Sequence, residues 1–315
     1  MAPSFAHGQV SAADSSSSAG GRPHVHRVLV LGLAVAALLL PPAAALGQCP
    51  DPIRLTFLDV GQGDAVLVRS PTGQTALIDA GRDGDVVPLL RSLDVEEIDL
   101  LVATHPHADH IGGMPGVLAA IPVRFFMDNG QPYTTATYRA LLAALEARPD
   151  ITYLQATPRT VSMGDAEIQV LALPPPGTPA NDRSVGLVIR YGSFTAFLSG
   201  DSERAELTYF LNAGAVPDVD VLKAPHHGSD NGFTADFLRA ARPQVVVVSV
   251  GSNAYGHPMP GALAAYASVA AEVHRTDREG SITVEGFSDG TFRVFAGVGA
   301  GAGVGCSMNG RGAVR

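Results

Sequence analysis

The sequence predicts an α/β fold: a layered sandwich of sheets and helices in a single domain. Three observations predict it. Short β-branched runs alternate with amphipathic helical patterns from Ile53 onward. Apolar residues make up 46% of the 315 residues, enough for a large core. No internal repeat or second domain boundary interrupts the pattern.

In order, "IRLTFLDV", "DAVLVRS" and "TALIDAG" read as strands separated by the turn signals "GQG" and "PTGQ", an antiparallel meander. Helix "DVVPLLRSL", strand "IDLLVATH", short helix "PGVLAAI", strand "VRFFMD" and amphipathic helix "TATYRALLAALEA" follow. "AEIQVLAL" is a strand, and Pro and Gly keep "PPPGTPANDRS" irregular. Strands "VGLVIRY" and "FTAFLSG" bracket a tight turn. Helix "ERAELTYFLNA", strand "VDVLKAP", helix "TADFLRAA" and buried strand "QVVVVSVG" come next, and the hairpin "SITVEGF"/"TFRVFAG" closes the fold.

Residues 1–48 read as an export segment. A Ser-rich polar lead and Arg22, His24, His26 and Arg27 precede an apolar run over residues 28–47 that ends in small residues. Either it is a cleaved signal peptide, or it stays as an N-terminal anchor, since its length is close to a membrane span. The expected location is therefore exported, periplasmic or extracellular. The folded domain is expected over 49–298, with 299–315 a Gly-rich flexible tail. Cys49 and Cys306 either pair to tie the termini together or are unrelated thiols. A formal charge of −9 provides no long-range attraction for nucleic acid, so a polynucleotide has to be held by local contacts or bound cations.

Seven histidines follow the apolar run: His105, His107, His110, His226, His227, His257 and His274. Each is expected beside a strand end, where α/β folds build sites. His105 and His107, two apart in a loop, can grip one ion, and Asp109 and His110 a second beside it. Two ions ~3.5–4 Å apart clamp attacking and leaving oxygens and activate a bridging water. The two glycines after His110 let the loop pass tightly into the next helix. Asp201 ends a strand and is expected to bridge both ions, with capping of the following helix as the alternative. Of His226 and His227, one is expected as a ligand, while the other orients it or touches substrate. Asp79 reads as a carboxylate orienting a ligand histidine. Asp59 and Asp64 flank "VGQG", which reads as a tight β-turn, with Asp64 approaching the metal rim as the alternative. Lys223, the only lysine, either contacts a phosphate or snorkels at a strand edge. His257 and Asp277 are rim residues for substrate or turn formers.

"HPHADHIGG" resembles the metallo-β-lactamase fold signature. With it, "FLDVGQGDA", "LIDAG", "NDRS", "LSGD", "LKAPHHGS", "YGHP" and "RTDREGSI" are similar to the hydrolase domain of ComEC competence proteins, over Ile53 to Ala296. The resemblance implies a four-layer αββα sandwich with two divalent ions, Zn²⁺ or Mn²⁺, between its sheets. It implies His105, His107, Asp109, His110, Asp201 and one of His226/His227 as ligands. Hydroxide activated by the two metals is then the nucleophile, and Asp109 a proton acceptor. The expected function is an exported phosphodiesterase acting on DNA or another phosphodiester, with Lys223 or His257 holding the phosphate and no organic cofactor.

Two departures from the pattern bear on substrate. No histidine lies between His110 and His226, so the first ion is a ligand short unless Asn181, Asp182, water or substrate fills in. That gap suits the ComEC-like group and a harder ion such as Mn²⁺. It weakens the β-lactamase, lactonase and thioesterase readings and keeps open a non-catalytic binding protein with a degenerate site. A small-molecule hydrolase (of a lactone, thioester or choline-phosphate ester) stands as the alternative enzyme on the same residues. The second departure is that this sequence has one apolar segment, where full ComEC proteins carry a many-helix channel.

Overall fold

A computed structural model describes residues 51–269 and 272–297. Two mixed sheets lie face to face. The first is built from β1 (Ile53–Phe57), β2 (Val66–Arg69), β3 (Thr75–Ile78), β4 (Ile98–Val102), β5 (Val123–Asp128) and β6 (Thr152–Gln155). The second uses β7 (Arg159–Met163), β8 (Ala166–Val170), β9 (Leu187–Tyr191), β10 (Phe194–Leu198), β11 (Val221–Lys223), β12 (Val245–Val248) and β13 (Glu272–Arg275). The closing hairpin, β14 (Ile282–Gly286) and β15 (Phe292–Ala296), returns to the first sheet. The strand orders are β15-β14-β1-β2-β3-β4-β5-β6 and β13-β12-β11-β10-β9-β8-β7.

The expected meander is present: β1 pairs β2 and β2 pairs β3 antiparallel. From β3 to β6 and from β10 to β13 the pairing turns parallel, because helices make the crossovers. Strands β6, β7 and β13 are not legible in the sequence. Their residues are half exposed and polar, so they lack the apolar runs that mark interior strands.

Period-two alternation divides the core. Val245 and Val247 of β12 join Ile53, Leu55, Leu100, Val102 and Ile189 between the sheets. Val246 and Val248 face outward against α5 (Arg204–Asn212), α6 (Ala235–Ala241) and α7 (Pro260–Ser268) through Leu207, Phe210, Phe237 and Tyr266. On the other side, Leu67, Leu77 and Leu101 pack on α1 (Val86–Ser92), α2 (Ala108–Ile111), α3 (Met114–Ala120) and α4 (Ala136–Glu146). Helix, sheet, sheet, helix: the four layers are those expected. A short α8 (Thr276–Glu279) follows β13. The C-terminal ends of β3, β4, β10, β11 and β12 open on one rim, and most of the expected site residues sit there. Residues 1–48, read above as an export segment, residues 299–315, Cys49 and Cys306 lie outside the described residues. Among the described residues, no helix is long and apolar enough to cross a membrane.

Candidate metal centre

Each strand end delivers one part of the cluster. Beyond β4 the chain runs through Thr104 and His105 into α2, which carries Asp109 and His110 on its first turn. Gly112 and Gly113 then cross close to other backbone: a Cβ on Gly112 would overlap the carbonyl oxygen of Arg82, and one on Gly113 that of Ala80. Beyond β11, His226 and His227 are consecutive left-handed residues, with φ of 48° and 53°. An extended chain would send neighbouring side chains to opposite faces. This strained turn, costing about 1–3 kcal/mol per residue, brings both imidazoles to the same carboxylate.

That carboxylate is Asp201, whose two oxygens divide the histidines. Oδ1 lies 3.2 Å from His110 Nε2 and 3.4 Å from His227 Nε2. Oδ2 lies 3.7 Å from His105 Nε2 and 3.8 Å from His226 Nε2. Asp109 Oδ2 stands 3.5 Å from His227 Nε2, and His107 Nδ1 is 3.0 Å from His105 Nε2.

The outward hydrogen bonds decide which imidazole nitrogens carry protons. His110 donates Nδ1–H to Asp79 at 2.7 Å, and His227 donates Nδ1–H to the Ser249 carbonyl at 3.0 Å. Thr104 Oγ1 gives its proton to Asp79, so it accepts from His105 Nδ1 at 3.2 Å. Asn231 Oδ1 accepts from Ser229 and, at 3.1 Å, from His226 Nδ1. The Nε2 atoms of His105, His110, His226 and His227 therefore turn lone pairs toward carboxylate oxygens. Those of His110 and His227 are buried with no hydrogen-bond partner, as is Asp201 Oδ1. Lone pairs facing carboxylates need a cation between them, and outward acceptors on ligating histidines are the usual support of a metal site. The residues fit divalent metal.

Without metal, protons take that place. Burial is the largest single influence on His110 and His227 and pulls their pKa values down. Asp201 together with Asp79 for His110, and with Asp64 and Asp109 for His227, more than offsets it, and both end well above the ordinary value. Burial and neighbouring His110 hold His105 well below it. Burial raises the Asp201 and Asp109 carboxyls, yet their histidine neighbours more than offset this and leave both low.

His105, His110 and Asp201 form one group able to hold an ion, and Asp109, His110 and His227 another. Of the histidine pair, His227 enters these groups. His226 stands at the edge, its side chain 18% exposed and its Nδ1 3.4 Å from Glu203.

Several expectations need correction. Lys223 neither reaches a phosphate nor snorkels: it is 1% exposed, paired with Asp64 and donating to the Gly200 carbonyl at 2.9 Å. Asp201 caps no helix, because Asp182 Oδ1 accepts from the amides of Glu203 and Glu206 at 3.1 Å each. Asp182 Oδ1 is thereby committed to the start of α5 rather than to the histidine cluster. Asn181 does border the cluster, with Nδ2 3.5 Å from His226 Nε2. His274 lies within β13 and bonds Glu279, and Asp277 pairs with Arg275, so neither joins the centre. His257 does reach the rim, its ring 5.3 Å from that of His226. Asp79 orients His110, and Asp64 lies 3.3 Å from His227 Nδ1. Tyr133 is absent from the expected set, yet its hydroxyl is 3.1 Å from His107 Nε2. No residue type or spacing in "GQPYTT" marks it.

This centre on an αββα frame is the arrangement of one hydrolase class, and the sequence profile of the Metallo-beta-lactamase superfamily matches residues 58–252. The chain belongs to that superfamily. Among curated relatives it is 27% identical over 249 residues to ComE operon protein 3 of Bacillus subtilis (strain 168), covering 72% of this chain and 32% of that protein. It is 28% identical over 236 residues to Competence protein ComA of Neisseria gonorrhoeae, covering 72% and 31%. The chain thus spans about a third of the length of these relatives. Among solved structures, the metallo hydrolase Igni18 of Ignicoccus hospitalis covers 73% of this chain and 98% of its own, at 17% identity and a TM-score of 0.48. YhfI of Bacillus subtilis covers 73% and 99%, at 14% identity and a TM-score of 0.46.

Proposed function

We propose that this protein is an exported, two-metal phosphodiesterase that cleaves DNA or another phosphodiester. The division of Asp201 between two histidine sets carries the reading: Oδ2 faces His105 and His226, and Oδ1 faces His110 and His227. Residues divided in this way would hold two divalent ions, whose charge suits a phosphodiester. The likeness to competence proteins supports a polynucleotide. Zn²⁺ or Mn²⁺ held there supplies an activated water and offsets charge developing on the reacting oxygens.

The chain's own residues supply the geometry. Asp79, Ser249 and Asn231 fix the imidazole tautomers. Asp109 lies at the mouth, its side chain 17% exposed, and is the carboxylate placed to take a proton. His257 borders the centre, its ring 5.3 Å from that of His226 and its pKa held below the ordinary value by burial and by His226 and His227.

The formal charge of −9 favours the second reading, a small lactone, thioester or choline-phosphate ester, because such a substrate needs no electrostatic steering. Plasmid and single-stranded DNA incubated with the protein and Mn²⁺ or Zn²⁺ decides between them, with His107→Ala as control. Degradation lost in the variant supports the phosphodiesterase. Intact DNA alongside lactone opening replaces it with the small-molecule hydrolase, and neither activity with less than one bound ion per chain would point to a binding protein with a degenerate site.

A further inference from the structure

Lys223 is the only lysine in the chain and among its largest fully enclosed side chains. An ammonium is seldom buried without a charge to match, and here the match is specific. Nζ pairs with Asp64 Oδ2, donates to the Gly200 carbonyl at 2.9 Å and lies 3.9 Å from Asp201 Oδ1. Asp64 arrives from the loop after β1, Gly200 and Asp201 from the end of β10, and Lys223 from β11. Asp64, Asp201 and His227 together could themselves hold an ion, and the ammonium stands against two of those three groups.

We propose that Lys223 is a built-in cation filling this third carboxylate pocket, so that the centre takes two exchangeable divalent ions and Asp64 stays out of coordination. The proposal rests on the metal-centre reading above. Charge supports it. With neutral histidines, Asp64, Asp79, Asp109 and Asp201 against one ammonium leave three excess negative charges. Two divalent ions turn that into a single positive charge, suited to an anionic substrate. A third divalent ion in place of the lysine would leave an excess of two. Space supports it too, because the ammonium already occupies hydrogen-bonding distance of the Gly200 carbonyl.

The test uses the full chain, stripped of metal and titrated calorimetrically with MnCl₂, with melting temperatures measured before and after loading. Wild type is expected to bind two equivalents. Lys223→Ala, which removes both charge and bulk, is expected to bind three, to melt several degrees lower without metal and to gain more from Mn²⁺ than wild type does. Asp64→Asn/Lys223→Ala returns to two equivalents and melts no lower than the single variant. If Lys223→Ala folds only with metal, the Mn²⁺ retained after desalting provides the same count. Two equivalents in Lys223→Ala with an unchanged gain on loading would overturn the proposal. A wild type that binds neither Mn²⁺ nor Zn²⁺ would overturn the metal-centre reading instead. The metal-free melting temperatures still test the ion pair in that case: additive losses for Asp64→Asn and Lys223→Ala would refute it.

Discussion

Asp79 Oδ2 accepts the Nδ1 proton of His110 at 2.7 Å, with both side chains essentially excluded from solvent. The same carboxylate takes the Thr104 amide at 2.8 Å and the Thr104 hydroxyl at 2.7 Å, so one residue locks two parts of the metal loop. Asp79 is itself left-handed, φ 58°, a conformation that Asp and Asn tolerate better than other side chains. Asp79→Asn therefore keeps the backbone while removing the charge that holds His110. Metal affinity is expected to fall about 10–100-fold, as for other outer partners of ligating histidines. Calorimetric titration with Mn²⁺ measures it, and an affinity within about twofold of wild type would show that Asp79 only braces the loop.

Tyr133 makes a narrower prediction. Its hydroxyl is the outward partner of His107 Nε2, leaving Nδ1 to face His105. The ring also packs edge-on against His107 at 5.6 Å. Tyr133→Phe keeps the ring contact and loses the hydrogen bond. Removing one such neutral bond costs about 0.5–1.5 kcal/mol, so a roughly 2–10-fold loss of metal affinity is expected, with far-ultraviolet circular dichroism unchanged. Equal affinity in the two proteins would remove Tyr133 from the centre.

The cluster His105–His110 is legible because four ligand-type side chains follow a buried strand within six residues, and strand and spacing alone put them together. The pair His226/His227 is only half legible, since the left-handed turn that aims both at Asp201 is set by packing around β11. Lys223 misleads because sequence shows a cation at a strand end but not the Asp64 that arrives from the loop after β1 to meet it. Tyr133 reaches His107 across 26 residues, and a tyrosine in a loop has no ligand signature. The core strands announce themselves through apolar runs, whereas "TYLQ" of β6 and "EVHR" of β13 depend on partners already in the sheet.

Glu206 supplies the pH dependence. It is fully buried on α5, accepting from the Ser184 amide at 3.1 Å and the Ser202 hydroxyl at 2.7 Å, while Oε1 has no partner. Burial drives its pKa well above the ordinary value, against the lowering from those hydrogen bonds. A folded-state pKa above the unfolded one means that the native state holds the proton longer. Its contribution is full below the unfolded value of about 4.5 and lost as pH rises through the raised folded value. Glu206→Gln removes that dependence. The variant's melting temperature relative to wild type is expected to climb over the range above the unfolded value of about 4.5, each tenfold difference in proton affinity between folded and unfolded chain being worth about 1.4 kcal/mol. Parallel melting curves across that range would show that Glu206 ionises freely in the fold.

The glycines of the metal loop give a last prediction, with its control in the next helix. Gly112 has ordinary helical dihedrals, φ −64°, so conformational freedom is not what it provides. It provides room: an added Cβ would overlap the Arg82 carbonyl and come within 2.6 Å of the Ala108 oxygen, both backbone atoms that cannot swing aside. Gly112→Ala must displace the chain two residues after His110, and both packing and metal geometry suffer. Gly116, inside α3, meets only Val87 Cγ2 at 3.7 Å, an ordinary contact. Gly116→Ala should follow helix propensity and stabilise by up to about 1 kcal/mol. Gly112→Ala should destabilise by about 2–4 kcal/mol, a loss from strain well outside the range of surface substitutions. Urea denaturation of the two variants beside wild type measures both. Shifts of the same sign would mean that the loop is slack enough to absorb a methyl group, and close backbone packing would no longer explain the paired glycines.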